Sequence, residues 1–290
     1  MQYIKDSISI ITPNYNYSNF IGQTIESVIF QDNKNVEHII VDDGSNDNSV
    51  EVIRIYQANY PQIIKLIQQK NQGQTPAINA GLRLASGDIL GWINSDDYYS
   101  DNILSEVEEV FNDNPEIDIV YGNFNVVDID GKYIYTKRHF KFSFIESCFL
   151  GFGNTLTSNC IFWRKRLIEK TGLLNENLKC NMDGEYFSRL TQNANIYFLD
   201  KSIANFRQQE VSLAGRNNPQ WKEIVKYEIN LEKVNSYNRL KIAKLVPYKF
   251  GKHLRYYFIA KRFLKKLIRL DYYKIYKSKQ RYNSKYIASK

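Results

Sequence analysis

Three acidic positions stand where a folded chain could put them to chemical use. Asp42 and Asp43 follow the β-branched run Val36–Val41, and Asp96 and Asp97 follow Asp88–Ile93 through the link Asn94-Ser95. Adjacent carboxylates at one strand end repel each other, and a bound cation lets both stay ionised. Mg²⁺ is typically held by one or two carboxylates together with substrate phosphates, so Asp96-Asp97 suits a metal–diphosphate. The plainer use of the same pair is a solvated helix cap, for which Asp101 is also available. In Val41-Asp42-Asp43-Gly44-Ser45 a carboxylate could accept hydrogen bonds from a base or ribose across the sheet edge, or it could close an Asx turn before the next helix. The third position is Asp183, in Met182-Asp183-Gly184-Glu185, where an acid in a first helical turn is favourable in itself.

These positions need a scaffold, and the first 130 residues supply its pattern. Strand-like runs at Ser7–Thr12, Val36–Val41, Ile63–Ile67, Asp88–Ile93 and Ile117–Tyr121 alternate with helical spacing at Ile21–Ile29, Ser49–Tyr60, Pro76–Ala85 and Asn102–Phe111. Short links between them imply an α/β fold, a doubly wound and mostly parallel sheet with helices on both faces. Ligands of such sheets bind beyond the carboxyl ends of the strands, where both aspartate pairs fall. After residue 120 the rhythm breaks. Asp128-Ile129-Asp130-Gly131 signals a hairpin between Phe124–Val127 and Tyr133–Tyr135, and the stretch to Ser158 reads as loop. Cys160–Trp163 and Ile196–Leu199 read as strands, and Met182–Leu190 and the chain from about Pro219 as helical.

Composition narrows the class. At 290 residues, with 43% hydrophobic and 24% charged residues, the chain is neither disordered nor fibrous. No apolar run approaches the ~20 residues of a membrane span. The N-terminus passes directly into strand-like sequence, which predicts no secretory signal peptide and a cytoplasmic protein. The three cysteines, Cys148, Cys160 and Cys180, have no CxxC spacing and argue against a disulfide framework or zinc site. His38, His139 and His253 have no metal-triad spacing and read as structural or exposed. Cys160, Trp92 and Trp163 read as core, with sugar stacking as the alternative use of Trp163.

Five motifs in order now have a family likeness. Ser9-Ile10-Ile11-Thr12-Pro13-Asn14-Tyr15-Asn16, Val41–Ser45, Asn71-Gln72-Gly73 with Ala77-Ile78-Asn79-Ala80-Gly81, Asn94–Asp97 and Asp183-Gly184-Glu185 closely resemble the family 2 glycosyltransferases, over about residues 5–215. The resemblance implies an inverting enzyme of GT-A fold, of the bacterial polysaccharide or lipopolysaccharide type, with a nucleotide-sugar-binding half at 1–120 and an acceptor-binding half at 121–215. It implies that Pro13 and Tyr15 wrap the nucleotide, Tyr15 near the base. Asp43, with Asp42 beside it, would hydrogen-bond a pyrimidine. Asn71 to Gly81 would line the donor pocket, its loop ordered by Asn79. Asp96 and Asp97 would reach the ribose and hold Mn²⁺ or Mg²⁺ on the diphosphate, and Asp183 would be the general base. The donor would be a nucleotide diphosphate sugar, UDP-linked, and the acceptor a hydroxyl of a glycan or lipid-linked sugar.

Two departures weigh against a plain match. Relatives often have Asp where this chain has Asn94, and a His after a Tyr-Arg-x-His segment where this chain has Phe206-Arg207-Gln208-Gln209. Arg207 and Gln209 are therefore candidate diphosphate contacts, or Arg207 pairs with an acid. A non-catalytic sugar-nucleotide-binding or assembly protein is the main rival; intact Asp43, Asp96, Asp97 and Asp183 oppose it. A nucleotidyltransferase would need a Gly-rich basic loop after the first strand, and residues 12–20 have neither Gly nor Lys/Arg.

The charge divides sharply. Residues 241–290 hold 16 Lys/Arg against one acid, Asp271, while residues 1–240 hold 23 against 30. On a helical wheel of Leu254–Leu270, six cations fall within an arc of about 140° and apolar residues fill the rest, with only Phe258 out of place. The region 216–290 is thus expected to be helical, basic and amphipathic. Its cations would meet an anionic membrane on the inner face of the cell, or its apolar face would pack on the catalytic domain. Nucleic acid is not an expected partner, since no recognition motif accompanies the charge.

Overall fold

The computed structural model describes residues 6–33, 35–208, 219–240, 243, 253–271 and 274–279. Four parallel strands form one half of the sheet: β1 (Ile8–Asn14), β2 (Val36–Asp42), β3 (Ile64–Gln68) and β4 (Ile89–Trp92). They are linked by α1 (Ser18–Ile29), α2 (Ser49–Asn59) and α3 (Gln74–Leu84). All seven residues of β1, and all seven of β2, are buried, which is why both strands read as nearly continuous apolar runs. On one face Ile11, Ile39 and Val41 meet Ala77 and Ile78 of α3. On the other, Ile40 meets Ile21, Ile25 and Ile53 of the first two helices, and Ile8 and Ile10 meet α4 (Ile103–Asp113).

The second half is mixed. The strand order is β3-β2-β1-β4-β8-β6-β9-β5, where β5 is Tyr98–Tyr99, β6 Ile119–Val127, β8 Ile161–Arg164 and β9 Ile196–Arg207. The parallel run ends where β8 inserts antiparallel between β4 and β6. β7 (Tyr133–Lys137) pairs with β6 as the expected hairpin. The doubly wound α/β architecture is present, and the break in rhythm after residue 120 corresponds to the change from parallel to antiparallel pairing.

Three segments differ from the sequence pattern. The stretch expected to be loop contains α5 (Phe144–Leu150), because Ser143 caps its start, Gly151 at φ +90° ends it, and Cys148 and Phe149 supply a buried stripe. β9 runs for twelve residues rather than four, following β6 to Arg207. Short helix α6 (Arg166–Thr171) and α7 (Met182–Leu190) precede it. Beyond residue 215, α8 (Pro219–Asn238) and α9 (Leu254–Ile268) bury Tyr237 and Phe258 in the same core as β1 and β4. Among the described residues no helix is long and apolar enough to cross a membrane.

The histidines and cysteines fall where the sequence suggests. Buried His38 meets the Thr12 hydroxyl at 2.8 Å, and buried His139 meets the Gly122 carbonyl at 2.7 Å through Nδ1. Burial pushes their imidazoles down to about 3 and about 4. Burial likewise pushes the Cys160 thiol up to about 12, so it is no nucleophile. Because the folded chain keeps both histidines neutral while the unfolded chain protonates near 6.5, their contribution to stability is present above pH 6.5 and declines as pH falls toward the folded values. Urea denaturation at pH 7 and pH 5 should therefore show a loss of about 2 kcal/mol for each histidine. The double variant His38→Gln/His139→Gln should show a flatter dependence, whatever its absolute stability.

Candidate active site

The carboxyl ends of the parallel strands border a cavity of about 480 Å³ lined by Pro13, Asn14, Tyr15, Asp43, Asn71, Gln74, Asn94 and Asp96, among others. Strand geometry explains the convergence, since β1, β2 and β4 end at one sheet edge and each delivers its next residues there. Tyr15 is partly exposed at this edge, and Asn71 and Gly73 come from the loop that opens α3.

The adjacent aspartates of the first pair have separate tasks. Asp42 turns into the loop: its Oδ1 accepts from Asn14 Nδ2 at 2.8 Å and Ser45 Oγ at 2.6 Å, and its Oδ2 from the Ser45 N–H at 3.0 Å. That is the Asx-turn role, away from the cavity. Asp43 reaches the α3 loop, with Oδ1 accepting from Gln69 Nε2 at 2.7 Å and the Gln72 N–H at 2.9 Å, and Oδ2 from the Gly73 N–H at 2.7 Å. A carboxylate can accept about four hydrogen bonds, so Asp43 keeps capacity for one donor in the cavity it lines. Gly44 between Asp43 and Ser45 has φ +77°, and a Cβ there would stand 3.1 Å from the Asn71 nitrogen. Glycine thus lets the two loops close on each other.

The second pair divides in the same way. Asp96 lines the cavity, whereas Asp97 is buried, its Oδ1 accepting from the Arg207 N–H at 2.9 Å. Burial, reinforced by the charge of Asp96, raises the Asp97 carboxyl well above the usual carboxylate range. Asn94 faces the cavity with its Oδ1 held by Trp92 Nε1 at 3.0 Å and Gln74 Nε2 at 2.9 Å. Trp92 is therefore both core and orienter, and Gln74, within the Asn71–Gly81 segment, lines the cavity. Trp163 is fully buried against Tyr186 and offers no stacking surface.

Arg207 does not reach the cavity. Its Nε donates to the Asp96 carbonyl at 2.9 Å, Nη1 to the Ile129 carbonyl at 2.5 Å, and Nη2 to Gln23, while its guanidinium lies over Phe20 and Tyr98. It braces the Asp96-Asp97 turn and is not among the residues that line the cavity. Gln209 lies outside the described residues. Asn79 is buried on α3 and bonds the backbone N–H and carbonyl of Leu174, both at 3.0 Å, so the loop it orders is 174–176, not the donor-side loop.

Asp183 stands in the first turn of α7, outside the cavity lining, with Oδ1 accepting the Gly184 N–H at 2.7 Å. Burial raises its carboxyl above the usual value. Gly184 is required by a close approach, since a Cβ there would lie 2.6 Å from Asn181 Oδ1. Two residues of α8 that carry no motif hold this segment. Glu228 accepts the N–H groups of Lys179, Cys180 and Asn181, each at 2.9 Å. Glu232, buried one turn on, accepts from Asn181 Nδ2 at 3.3 Å, and burial pushes its carboxyl up to about 7. Their assignment to a separate basic tail concealed them, and only an i, i+4 acidic pair in that helix could have marked them.

Among the described residues no three His, Cys, Asp or Glu side chains form a cation cage. Asp96 presents one carboxylate to the cavity, and the neighbouring Asn94 Oδ1 is taken up by Trp92 and Gln74, so a divalent cation there would need further ligands from a diphosphate.

Comparison with known proteins agrees with this fold. The family model described as Glycosyl transferase family 2 matches residues 9–173. An uncharacterized glycosyltransferase of Nostoc sp. is 39% identical over 127 residues, 42% of this chain and 39% of its own length. The minor teichoic acid biosynthesis protein GgaA of Bacillus subtilis is 30% identical over 195 residues, 63% of this chain and 42% of its own. The chain thus spans less than two thirds of these curated relatives. Residues 1–349 of S. aureus TarS, solved with UDP-GlcNAc, superpose with a TM-score of 0.64 at 20% identity, covering 81% of this chain and 67% of that one. A Pyrobaculum calidifontis mannosyltransferase, solved with GDP-Man and Mn²⁺, gives 0.57 at 15% identity, covering 89% and 86%. These structures share the GT-A fold. With the family match extending over more than half of the residues, and with the sheet edge built as described, the chain belongs to glycosyltransferase family 2.

Proposed function

We propose that the protein transfers a sugar, with inversion, from a UDP-sugar to a hydroxyl of a glycan or lipid-linked acceptor in cell-surface polysaccharide synthesis. The observation that carries this reading is the cavity of about 480 Å³ lined by both Asp43 and Asp96, with a partly buried carboxylate, Asp183, held separately in the following half. The TarS structure with UDP-GlcNAc and the teichoic acid relative support the donor and polymer class.

In this reading Tyr15 stacks near the base, with Pro13 and Asn71 beside it, and Asp43 accepts a donor from the pyrimidine with its remaining lone pair. Asp96 is the carboxylate for Mn²⁺ or Mg²⁺. Asp97 and Arg207 keep its turn in place rather than touching donor. A divalent cation, when bound, neutralises charge developing on the leaving diphosphate. Asp183 takes the proton from the acceptor hydroxyl as that oxygen bonds the anomeric carbon and the bond to the diphosphate breaks. The nucleoside diphosphate departs with the electron pair, and single displacement inverts the centre. Burial makes Asp183 a stronger base than a free aspartate, which suits proton abstraction near neutral pH. A non-catalytic binding role would leave this raised carboxylate, and the two glutamates that brace its segment, without a task.

Calorimetric titration with UDP should show affinity in Mn²⁺ or Mg²⁺ that is lost in EDTA and in Asp96→Ala; equal affinity throughout would remove the metal assignment. Asp183→Asn should bind donor as the wild type does and lose transfer by about 10²-fold or more. The wild-type rate should fall on the acid side with a midpoint above the ordinary aspartate value of 3.8, because the deprotonated form is the active one. Glu228→Gln, which removes one acceptor oxygen from three backbone N–H groups, should lower kcat roughly tenfold while donor affinity stays unchanged.

A further inference from the structure

The amphipathic helix α9 is mounted the opposite way from both expectations. Its cationic side faces the protein. Lys261 Nζ stands 2.6 Å and Arg262 Nε 3.3 Å from the buried carboxylate of Glu146 on α5. Arg262, Lys265 and Arg269 lie over the Phe140 ring at 6.0, 5.6 and 4.1 Å. Phe258, the one ring inside the cationic arc, is buried and stacked on Phe149 at 5.5 Å. Its misplacement on the wheel is thereby explained. The apolar face is left outward: Tyr256, Ile259, Leu264, Leu267 and Ile268 are all exposed, Ile268 at 82%. Over 15 residues this face is about 22 Å long, and exposed apolar residues contiguous along a helix mark an interaction surface.

Charge selects what covers it. A cavity of about 470 Å³ beside α9 is lined by Lys137, Arg138, Arg262, Lys266 and Lys274 with one acid, Asp271. That acid is already engaged, its Oδ2 accepting from Arg269 Nε at 3.0 Å. Arg255, Lys274, Lys277 and Lys279 are exposed around the helix ends, and Tyr256, Tyr257 and Tyr276 place amphipathic rings along the stripe. A second copy of this face would set these exposed cations against their like. An anionic lipid surface instead supplies hydrocarbon for the stripe and phosphate for the cavity. No described helix can span a bilayer, so the contact is one of lying in the interface.

We propose that α9 docks on a bilayer containing anionic phospholipid, with its apolar face sunk to the acyl boundary and lipid headgroup phosphate in the Lys137–Lys274 cavity. The site is distinct from the donor cavity and does not depend on the transfer reaction. It has a consequence for that reaction: Phe258 packs on Phe149, and α5 leads through Gly151 to Gly153, which adjoins Asp183. The membrane face and the proposed base thus share one connected segment, which favours an acceptor presented from the lipid surface.

Flotation of the full chain with vesicles of phosphatidylcholine alone, and of phosphatidylcholine with phosphatidylglycerol, tests it. Binding is expected only with the anionic vesicles, weakening as salt rises. The variant Leu264→Gln/Leu267→Gln/Ile268→Gln changes exposed residues and should lose binding at least tenfold at every salt concentration, with its melting temperature and UDP affinity retained. Lys274→Glu should lower binding to the anionic vesicles severalfold. An independent pair, Tyr256→Ser/Ile259→Ser, should repeat the first result should the triple variant misfold. Indifference of the full chain to anionic vesicles at low salt overturns the proposal. So does equal binding by wild type and both stripe variants. A wild-type dimer in solution that these variants dissociate would identify the stripe as an interface between copies and overturn it as well.

Discussion

A guanidinium buried between the two halves of the sheet governs the rest of the structure. Arg207 ends β9, its backbone N–H satisfies Asp97, and its side chain holds the Asp96 carbonyl, the 128–129 turn and Gln23 of α1. Removing the guanidinium would leave buried carbonyl oxygens without their donor, and removing the carboxylate would leave the Arg207 N–H without its acceptor. The turn after β4 therefore has little freedom, and Asp96 is presented to the cavity from a fixed support. Because β9 pairs with β6, this support is tied to the second half of the sheet as well.

Carboxylates of one chemical type are given different work by their surroundings. Asp42, pinned by Asn14 and Ser45, is a loop element; Asp43, one residue on, reaches across to the α3 loop and still borders the cavity. Asp96 lines the cavity where Asp97 is buried. Asp183 and Glu232 are both raised by burial, and each retains acid–base capacity at a pH where an exposed carboxylate is spent. At Asp42-Asp43 the alternation of the strand end sends neighbours in opposite directions, and at Asp96-Asp97 the turn after β4 does so, so adjacency supplies one cavity residue and one supporting residue.

The helices beyond residue 215 connect this site to the surface. Through Glu228, α8 organises the segment before Asp183, and through Phe258 and Glu146, α9 is fastened to α5 beside it. Long cationic side chains make this possible, because their stems and heads can cover the Phe140 ring while neutralising Glu146.

Alternating periodicities determined the α/β fold, and the order of five motifs determined the family, because buried strands and helix faces impose period on sequence and nucleotide-contacting loops impose residue type. The positions of Pro13, Tyr15, Asp43, Asn71 and Asp96 at one edge followed from the same logic, since loops after parallel strands must converge. Tertiary structure alone decided which member of each aspartate pair faces the cavity, that Arg207 and Asn79 are supports, and that α5 forms where the pattern was too short to read. It alone found Glu228 and Glu232, whose meaning depends on a contact some fifty residues away in sequence. The tail shows the limit most clearly. A helical wheel established that Leu254–Leu270 has two faces, but which face turns inward depends on what the body offers, and here the body offers a buried carboxylate and two phenyl rings rather than an apolar groove.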